Sequence, residues 1–334
     1  MTKTKVAVIG LGGMAQLVHL PNLSKNNDAV ISAVAEINKN RLETIANKFN
    51  IKEKYKDYNV MLAKCDIDAV IITTPTNAHK NIAIDCLKAQ KDILIEKPLA
   101  LSHSETKQII NAANKYKRKV MVGMNLRFRP DAMLLRSLIS SNEIGEPFYV
   151  KCGWIRRQSS TELWFTKKEM AGGGVTIDLG ILILDLALWL LNYPQVDSVT
   201  TQNFYHNTKT VEDSSVSFIR CKNSSLINIE TSWSLPSERD SFYLNLYGTK
   251  GSASLNPFRV SKKIHEQYVD LTPSRSTTYS NAFKKSYTNE IKSFLGAVQG
   301  LNPVFSPADE ALSRMKIIET MYKSASNKTE IKIK

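Results

Sequence analysis

The segment Val6-Ala-Val-Ile-Gly10-Leu-Gly12-Gly-Met-Ala15 runs a short apolar strand straight into a Gly-x-Gly-x-x-Ala turn. Few architectures accommodate that spacing. Gly10 permits the tight strand-to-helix turn, and Gly12 lets the backbone approach a pyrophosphate. A small residue at Ala15 lets the following helix pack against the strand, with its N-terminal N–H groups aimed at phosphates. A glycine fingerprint alone is a weak signal. Here the second strand, Val30-Ile-Ser-Ala-Val-Ala35, ends at Glu36, where an acid hydrogen-bonds the hydroxyls of an adenosine ribose.

Strands and helices alternate as far as residue 124. Strands are expected at about 4–9, 30–36, 69–73, 92–95 and 119–122, and helices at about 13–25, 38–49, 57–63, 77–90 and 102–117, several with Asn or Ser at the cap. The strands are short, continuous and rich in Val and Ile, as in a parallel sheet covered on both faces. After Asn125 the texture changes. A helix follows Pro130, then a strand at about 147–156, the run Gly172-Gly-Gly174 and a long apolar helix at about 176–191. Period-two segments follow at about 196–206, 213–221, 225–234, 241–248 and 251–255, the pattern of an antiparallel sheet with one solvated face. A helical stretch at about 280–325 is interrupted near Pro303 and Pro307, and about 260–281 reads as a mobile loop. The chain therefore divides into residues 1–124 and 125–334.

Length and composition suit two soluble domains: 334 residues, 43% hydrophobic and 23% charged. Cys65, Cys86, Cys152 and Cys221 are scattered, with no Cys-x-x-Cys pair, which argues against a zinc site or a disulfide framework and suits a reducing cytoplasm. The acids and histidines lack ligand spacing, so no metal is expected. The net charge of +14 comes from lysines dispersed along the whole chain, without a basic block or stacking aromatics, so nucleic acid is not an expected partner. The apolar helix from Ile181 to Leu191 carries Asp185 and reads as too short to cross a membrane.

With these motifs in order along nearly the full length, the sequence resembles the Gfo/Idh/MocA family of oxidoreductases. The residues that carry the resemblance are Gly10-Leu-Gly-Gly-Met-Ala15, Thr74-Pro-Thr-Asn-Ala-His79, Glu96-Lys-Pro98 and Gly172-Gly-Gly-Val-Thr-Ile-Asp178-Leu-Gly180 with Asp185. Val211-Glu-Asp213 and Leu246-Tyr-Gly-Thr-Lys-Gly251 add to it. The resemblance implies an α/β plus α+β fold. Its N-terminal part would be a Rossmann domain with a doubly wound parallel sheet, and its C-terminal part an open, predominantly antiparallel sheet with flanking helices. It also implies hydride exchange between NAD(P) and a sugar or polyol hydroxyl, in a homodimer or homotetramer formed through the C-terminal sheet. The cofactor residues it points to are Gly10, Leu11, Gly12, Gly13, Met14, Ala15, Glu36, Thr74, Pro75, Asn77, His79, Glu96 and Lys97. Glu36 favours NAD over NADP because an acid repels a 2′-phosphate, although Lys39 or Arg41 could neutralise one.

Oxidising a secondary alcohol needs a base for the hydroxyl proton while hydride leaves. Lys97, just past the carboxyl end of the fifth expected strand, is the candidate, with Pro98 fixing the chain beside it. A lysine in solution, at about 10.4, is too basic for this, and burial or a neighbouring positive charge lowers it. Asp178, opening the apolar helix, is the second catalytic candidate, as a carboxylate that orients Lys97 or a substrate hydroxyl; an ordinary first-turn carboxylate is the bland alternative. Asp185, seven residues on, reads as structural or as a link to the active-site network.

One position departs from the family. Four residues after the Asp178 position the family usually carries His as acid–base partner; this chain has Leu182, within Ile181-Leu-Ile-Leu184. Either Lys97 and Asp178 manage proton transfer alone, or another residue such as His206 substitutes, or the protein binds ligands without efficient turnover. The last would make it a degenerate binding or regulatory member. A glycosidase or lyase that recycles bound NAD is a further rival. Asn125, Arg127, Arg156 and Trp164, with Asp178, are the substrate-side candidates. Asn125 and Arg127 could alternatively clamp the domains, only one of Arg156 and Arg157 should face a cleft, and Trp164 could equally be core. An arginine there suits a carboxylate, phosphate or nucleotide-sugar pyrophosphate. His19 and His103 read as helix-surface residues.

Overall fold

The computed structural model describes residues 3–157, 163–273 and 278–333. The chain forms two compact units, Met1–Met124 with Tyr287–Ser313, and Asn125–Ser286 with Arg314–Lys334. Residues 287–313 thus belong with the first unit, which a single cut at 124 does not anticipate.

The first unit is built on a parallel sheet of six strands: β1 (Thr4–Ile9), β2 (Ala29–Ala35), β3 (Glu53–Tyr55), β4 (Ala69–Ile72), β5 (Asp92–Ile95) and β6 (Val120–Val122). Their spatial order is β3-β2-β1-β4-β5-β6, so the winding reverses between β1 and β4. Every residue of β4, β5 and β6 is buried, which is why these strands read as apolar runs, with Asp92 at the start of β5 the one exception. The edge strand β3 was not expected; its Glu-Lys-Tyr sequence lies half in solvent and carries no strand signal.

Four helices, α1 (Leu20–Ser24), α2 (Lys39–Lys48), α3 (Tyr58–Lys64) and α4 (Thr76–Lys88), precede α5 (His103–Tyr116) in this unit. The caps are chemical. Asn38 and Asp57 accept the N–H groups of Arg41 at 3.0 Å and Asn59 at 2.8 Å, and Ser102 accepts that of Glu105 at 3.1 Å. Ser306 explains the return of 287–313: it pairs with Val122 through both its carbonyl (2.9 Å) and its hydroxyl (2.6 Å), extending the sheet edge. Gln299 reaches Thr4 at 3.0 Å and Thr288 reaches Asn22 at 2.7 Å.

The second unit contains a sheet of nine strands in the order β14-β13-β12-β11-β7-β10-β9-β8-β15. They are β7 (Pro147–Ile155), β8 (Val196–Phe204), β9 (Ser214–Cys221), β10 (Leu226–Ser232), β11 (Ser241–Gly248), β12 (Gly251–Leu255), β13 (Arg259–Ile264), β14 (Gln267–Asp270) and β15 (Ile331–Lys332). All neighbours are antiparallel except β7 and β10. The alternation of β9 is typical: Val216 and Arg220 are exposed, whereas Ser217 and Ile219 are buried.

The helices α6 (Pro130–Ser140), α7 (Lys168–Ala171) and α8 (Ile181–Leu190) complete the unit, and two long helices, α9 (Tyr279–Val298) and α10 (Ala308–Asn327), run through the C-terminal region. Every residue of α8 is buried, Asp185 included. With the turns before it, the segment Lys168–Leu190 has the length and apolarity of a membrane span, contrary to the short reading, but 94% of that window is buried inside the protein.

The stretch expected as a mobile loop, 260–281, is mostly ordered. β13 and β14 form a hairpin, and Leu271 N–H bonds the Val260 carbonyl at 2.9 Å. The turn residues His265 and Glu266 both have positive φ, a two-residue turn usually written with Asn or Gly, so the sequence concealed it. Positions 274–277 lie outside the described residues.

Candidate functional site

In the first unit the residues singled out by the sequence gather at the carboxyl edge of the sheet. A ladder of backbone bonds sets them in a row: Gly10 to Ala35, Glu36 to Tyr55, Thr73 to Ile9, Glu96 to Ile72 and Gly123 to Ile95, all 2.8–3.0 Å. Each strand therefore ends at the same level. This is the edge, beside a reversal of strand order, where doubly wound sheets bind ligands.

Gly10 needs to be glycine twice over. Its φ is +86°, and an added Cβ would lie 2.9 Å from the Thr74 methyl and 3.0 Å from the Thr73 carbonyl. At Gly12 a Cβ would meet nothing within 4 Å, so the backbone here faces open space, as a close-approaching pyrophosphate requires. Gly13 and Met14 begin the helix, and the buried Ala15 opens a π-helical turn, Ala15–His19, that leads into α1. Leu11 offers its N–H to Glu36 Oε2 at 2.9 Å, and Asn38 offers its N–H to Oε1 at 2.8 Å. Arg41 joins the same carboxylate, Nε to Oε2 at 3.0 Å. Burial alone would raise the Glu36 carboxyl, but the two N–H groups and Arg41 outweigh it and hold it below the ordinary carboxylate range. Thr74 has a buried hydroxyl without a hydrogen-bond partner among the described residues. The open face at Gly12, the unmatched Thr74 hydroxyl and the ordered Glu36 carboxylate fit a dinucleotide.

Pro75 stands at the N-cap of α4, and Asn77 is exposed on its first turn. His79 behaves differently from its expected place beside the cofactor. It is buried, with Nδ1 2.9 Å from the Pro98 carbonyl and Nε2 2.9 Å from the Thr74 carbonyl. A neutral ring has one N–H for these two acceptors, and burial lowers the imidazole pKa against the pull of the carbonyls. His79 is thus a strut between the Thr74 loop and the loop after Lys97.

Glu96 and Lys97 follow β5, partly exposed, with Pro98 buried behind them. Sequence reasoning placed His19 on the surface, whereas it is fully buried with Nε2 2.7 Å from Glu96 Oε1. The π-helical turn explains the error: its extra residue rotates the following positions, so Leu17 is 81% exposed and His19 faces inward. His103, by contrast, lies partly exposed at the start of α5.

In the second unit Asp178 sits in another π-helical turn, Thr176–Gly180, directly before α8. It is the one residue from 173 to 191 that is not buried. Its Oδ2 accepts the indole N–H of Trp233 at 2.9 Å, a contact that no motif signalled. The glycine run before it is sterically fixed: a Cβ at Gly173 would lie 2.0 Å from the Tyr322 hydroxyl, and one at Gly174 2.0 Å from the Glu212 carbonyl. The Glu212 carboxylate accepts N–H groups from Gly174 at 3.1 Å and Thr176 at 3.0 Å and the Tyr322 hydroxyl at 2.8 Å, capping the helix start. Burial, and then the Glu212 charge, push that phenol well above its ordinary pKa.

Leu182, one turn beyond Asp178, is buried. His206 is exposed and stacks on Phe204 at 5.9 Å. Asn125 and Arg127 were expected near substrate or at a clamp, and both are buried inside this unit instead. Asn125 donates to Ser286 at 3.1 Å. Arg127 grips Asp185 through Nε at 2.7 Å and Nη2 at 2.6 Å, and Arg314 adds a bond to Asp185 at 2.6 Å. Tyr193 completes the cluster, its hydroxyl 2.7 Å from Asp185. Burial opposes the charge on Asp185, but the two guanidinium groups overcome it and keep the carboxyl below its usual range. The alternative of Asp185 as a structural residue is the one this geometry matches.

Arg156 remains partly exposed, with its guanidinium 5.3 Å over the Trp154 ring, while the N–H of exposed Arg157 is held by Asp240 at 2.9 Å. Trp164 is partly exposed and stacks on Phe165 at 3.9 Å. Among the described residues no cluster of three or more His, Cys, Asp or Glu side chains is placed to hold a metal.

Comparison with known proteins covers both units. Residues 4–124 match the model of the Gfo/Idh/MocA oxidoreductase family with an NAD-binding Rossmann fold, and residues 136–333 match that family's C-terminal alpha/beta domain. D-glucoside 3-dehydrogenase of Escherichia coli is 26% identical, over 98% of this chain and 97% of its own. The NAD(+)-dependent scyllo-inositol 2-dehydrogenase of Bacillus subtilis is 28% identical, over 93% and 91%. The structure of levoglucosan dehydrogenase with NADH and L-sorbose superposes with a TM-score of 0.88, covering 100% of both chains at 19% identity, a likeness of fold.

Proposed function

The chain belongs to the Gfo/Idh/MocA oxidoreductase family, with an NAD-binding Rossmann unit, and on that premise we propose that it is an NAD-linked dehydrogenase or reductase of sugars, polyols or their derivatives. The observation that carries this reading is the row of Gly10, Glu36, Thr73 and Glu96 at one sheet edge, with Lys97 directly following. The glucoside and inositol dehydrogenases among the relatives support the substrate class. Glu36, already ordered by Leu11 and Asn38, favours the unphosphorylated ribose of NAD over NADP.

When bound, the nicotinamide exchanges hydride with the substrate carbon. Gly10, Gly12 and the helix start at Gly13 would hold the pyrophosphate, and Glu36 the ribose. Lys97 would hold or move the hydroxyl proton at its Nζ, on a backbone steadied by the His79 and His19 struts. Asp178, the partly exposed acid of an otherwise buried segment, would orient a hydroxyl. Arg156 and Trp164 remain substrate-side candidates. The exposed face of the nine-stranded sheet supports a homo-oligomer, and three buried free cysteines suit a reducing cytoplasm.

The test is turnover of NAD against a panel of sugars and inositols, with Lys97→Met as control. NADH formation with at least one substrate, lost in Lys97→Met, is the expected result. Buried Leu182 favours one second reading, a family member that binds but does not turn over. Tight ligand binding without NADH formation on any substrate would select it.

A further inference from the structure

Trp233 lies outside every motif, yet its ring touches the acid to which a role in the reaction is assigned. We propose that Trp233 is a positioning residue that fixes the direction of the Asp178 carboxylate, within a frame supplied by Glu212 and Asp213; this rests on the dehydrogenase reading above.

Three independent observations carry it. The first is the contact itself: indole Nε1–H to Asp178 Oδ2 at 2.9 Å, from a ring that is 2% exposed. An indole N–H only donates, so it specifies an accepting oxygen at Asp178 and cannot pair with a hydroxyl proton there. A wide ring packed on all sides has no room to rotate.

The second is how Trp233 is held. Its backbone N–H bonds the Asp213 carbonyl at 2.8 Å, and Asp213 N–H bonds the Phe204 carbonyl at 3.0 Å. The Asp213 carboxylate in turn takes the N–H of Thr208 at 3.1 Å and that of Asn207, closing the turn after β8. The third is that the neighbouring Glu212 holds the other end. Its carboxylate takes the N–H groups of Gly174 and Thr176, and its carbonyl that of Val175 at 3.0 Å. Two consecutive residues thus anchor both the backbone that carries Asp178 and the ring that meets its side chain. Leu182, four positions on, is apolar and buried and offers this carboxylate no donor, whereas Trp233 does.

The experiment compares the full-length wild type with Trp233→Phe, which keeps an aromatic ring and removes the donor, and Trp233→His, which restores an N–H. NADH affinity and melting temperature report folding. Loss of one hydrogen bond to a charged group predicts a kcat lowered about ten- to a hundredfold in Trp233→Phe. KM for the sugar should change little, the pH–kcat profile should move, and Trp233→His should recover part of the rate. A folded Trp233→Phe that binds NADH normally with unchanged kcat and pH profile would overturn the proposal and leave the dehydrogenase reading standing. A wild type without turnover on any substrate would overturn that reading, and the positioning role with it.

Discussion

His19 Nε2 stands 2.7 Å from Glu96 Oε1, so the helix that opens with the glycine fingerprint is tied to the residue beside Lys97. Both side chains are withdrawn from water, at 1% and 11% exposure. Burial pushes the Glu96 carboxyl upward, but the hydrogen bond and charge of His19, with the charge of Lys97, bring it below its ordinary value of 4.5.

A depressed carboxylate contributes stability above its unfolded pKa and loses it as pH falls through the folded value. His19→Leu strands Glu96 and should cost about 3 kcal/mol at neutral pH, the scale for removing one partner of a buried pair. The difference from wild type should begin to shrink below about pH 4, where Glu96 protonates in the unfolded chain, and vanish as pH falls through the lower folded value. Urea unfolding at several pH values measures it; a constant difference would show that the pair carries no linked proton.

Asp185 is shared by Arg127, Arg314 and Tyr193, and the carboxylate and both guanidinium groups are fully buried in the second unit. Asp185→Asn should destabilise by about 3–5 kcal/mol, because two guanidinium groups lose their counter-charge. NADH affinity of the protein that remains folded should be unchanged. Calorimetry and titration together distinguish this from a substrate contact, which would alter KM with little loss of stability.

Gly174→Ala should be worse than its size suggests. The new methyl would meet the Glu212 carbonyl at 2.0 Å and displace the turn bearing Asp178. A loss of several kcal/mol is the expected scale for a steric conflict with backbone in a packed region. Gly12→Ala, where the added carbon meets nothing, should fold normally and weaken only dinucleotide binding; melting curves with and without NADH separate the two.

Most of the first sheet is legible because its strands are buried on both faces and spell themselves as Val and Ile. The same rule fails for β3, whose Glu53 and Lys54 lie at an edge, and for the β13–β14 hairpin, whose turn uses His265 and Glu266 in place of Gly or Asn. The association of residues 287–313 with the first unit was illegible for another reason: an amphipathic helix shows that it covers a core, not which core. His19 misread as surface because a 3.6-residue period does not hold through a π-helical turn. Gly10, Gly12, Glu36 and Lys97 could be named from local pattern alone. Trp233, fifty-five positions from Asp178, is tied to it only by the fold.

Glu36→Ala removes an acceptor that orders two backbone N–H groups and presents a carboxylate at the ribose position. It should weaken NADH binding about tenfold or more, on the scale of one charged hydrogen bond, and free Arg41 to favour a 2′-phosphate. The ratio of NADPH to NADH dissociation constants should fall.

The most direct measurement is a fluorescence titration of the purified protein with NADH and, in parallel, NADPH. Saturable binding of NADH, tighter than that of NADPH, is the predicted result. Failure to bind either nucleotide would contradict the account, leaving a family fold whose glycine edge no longer serves redox chemistry.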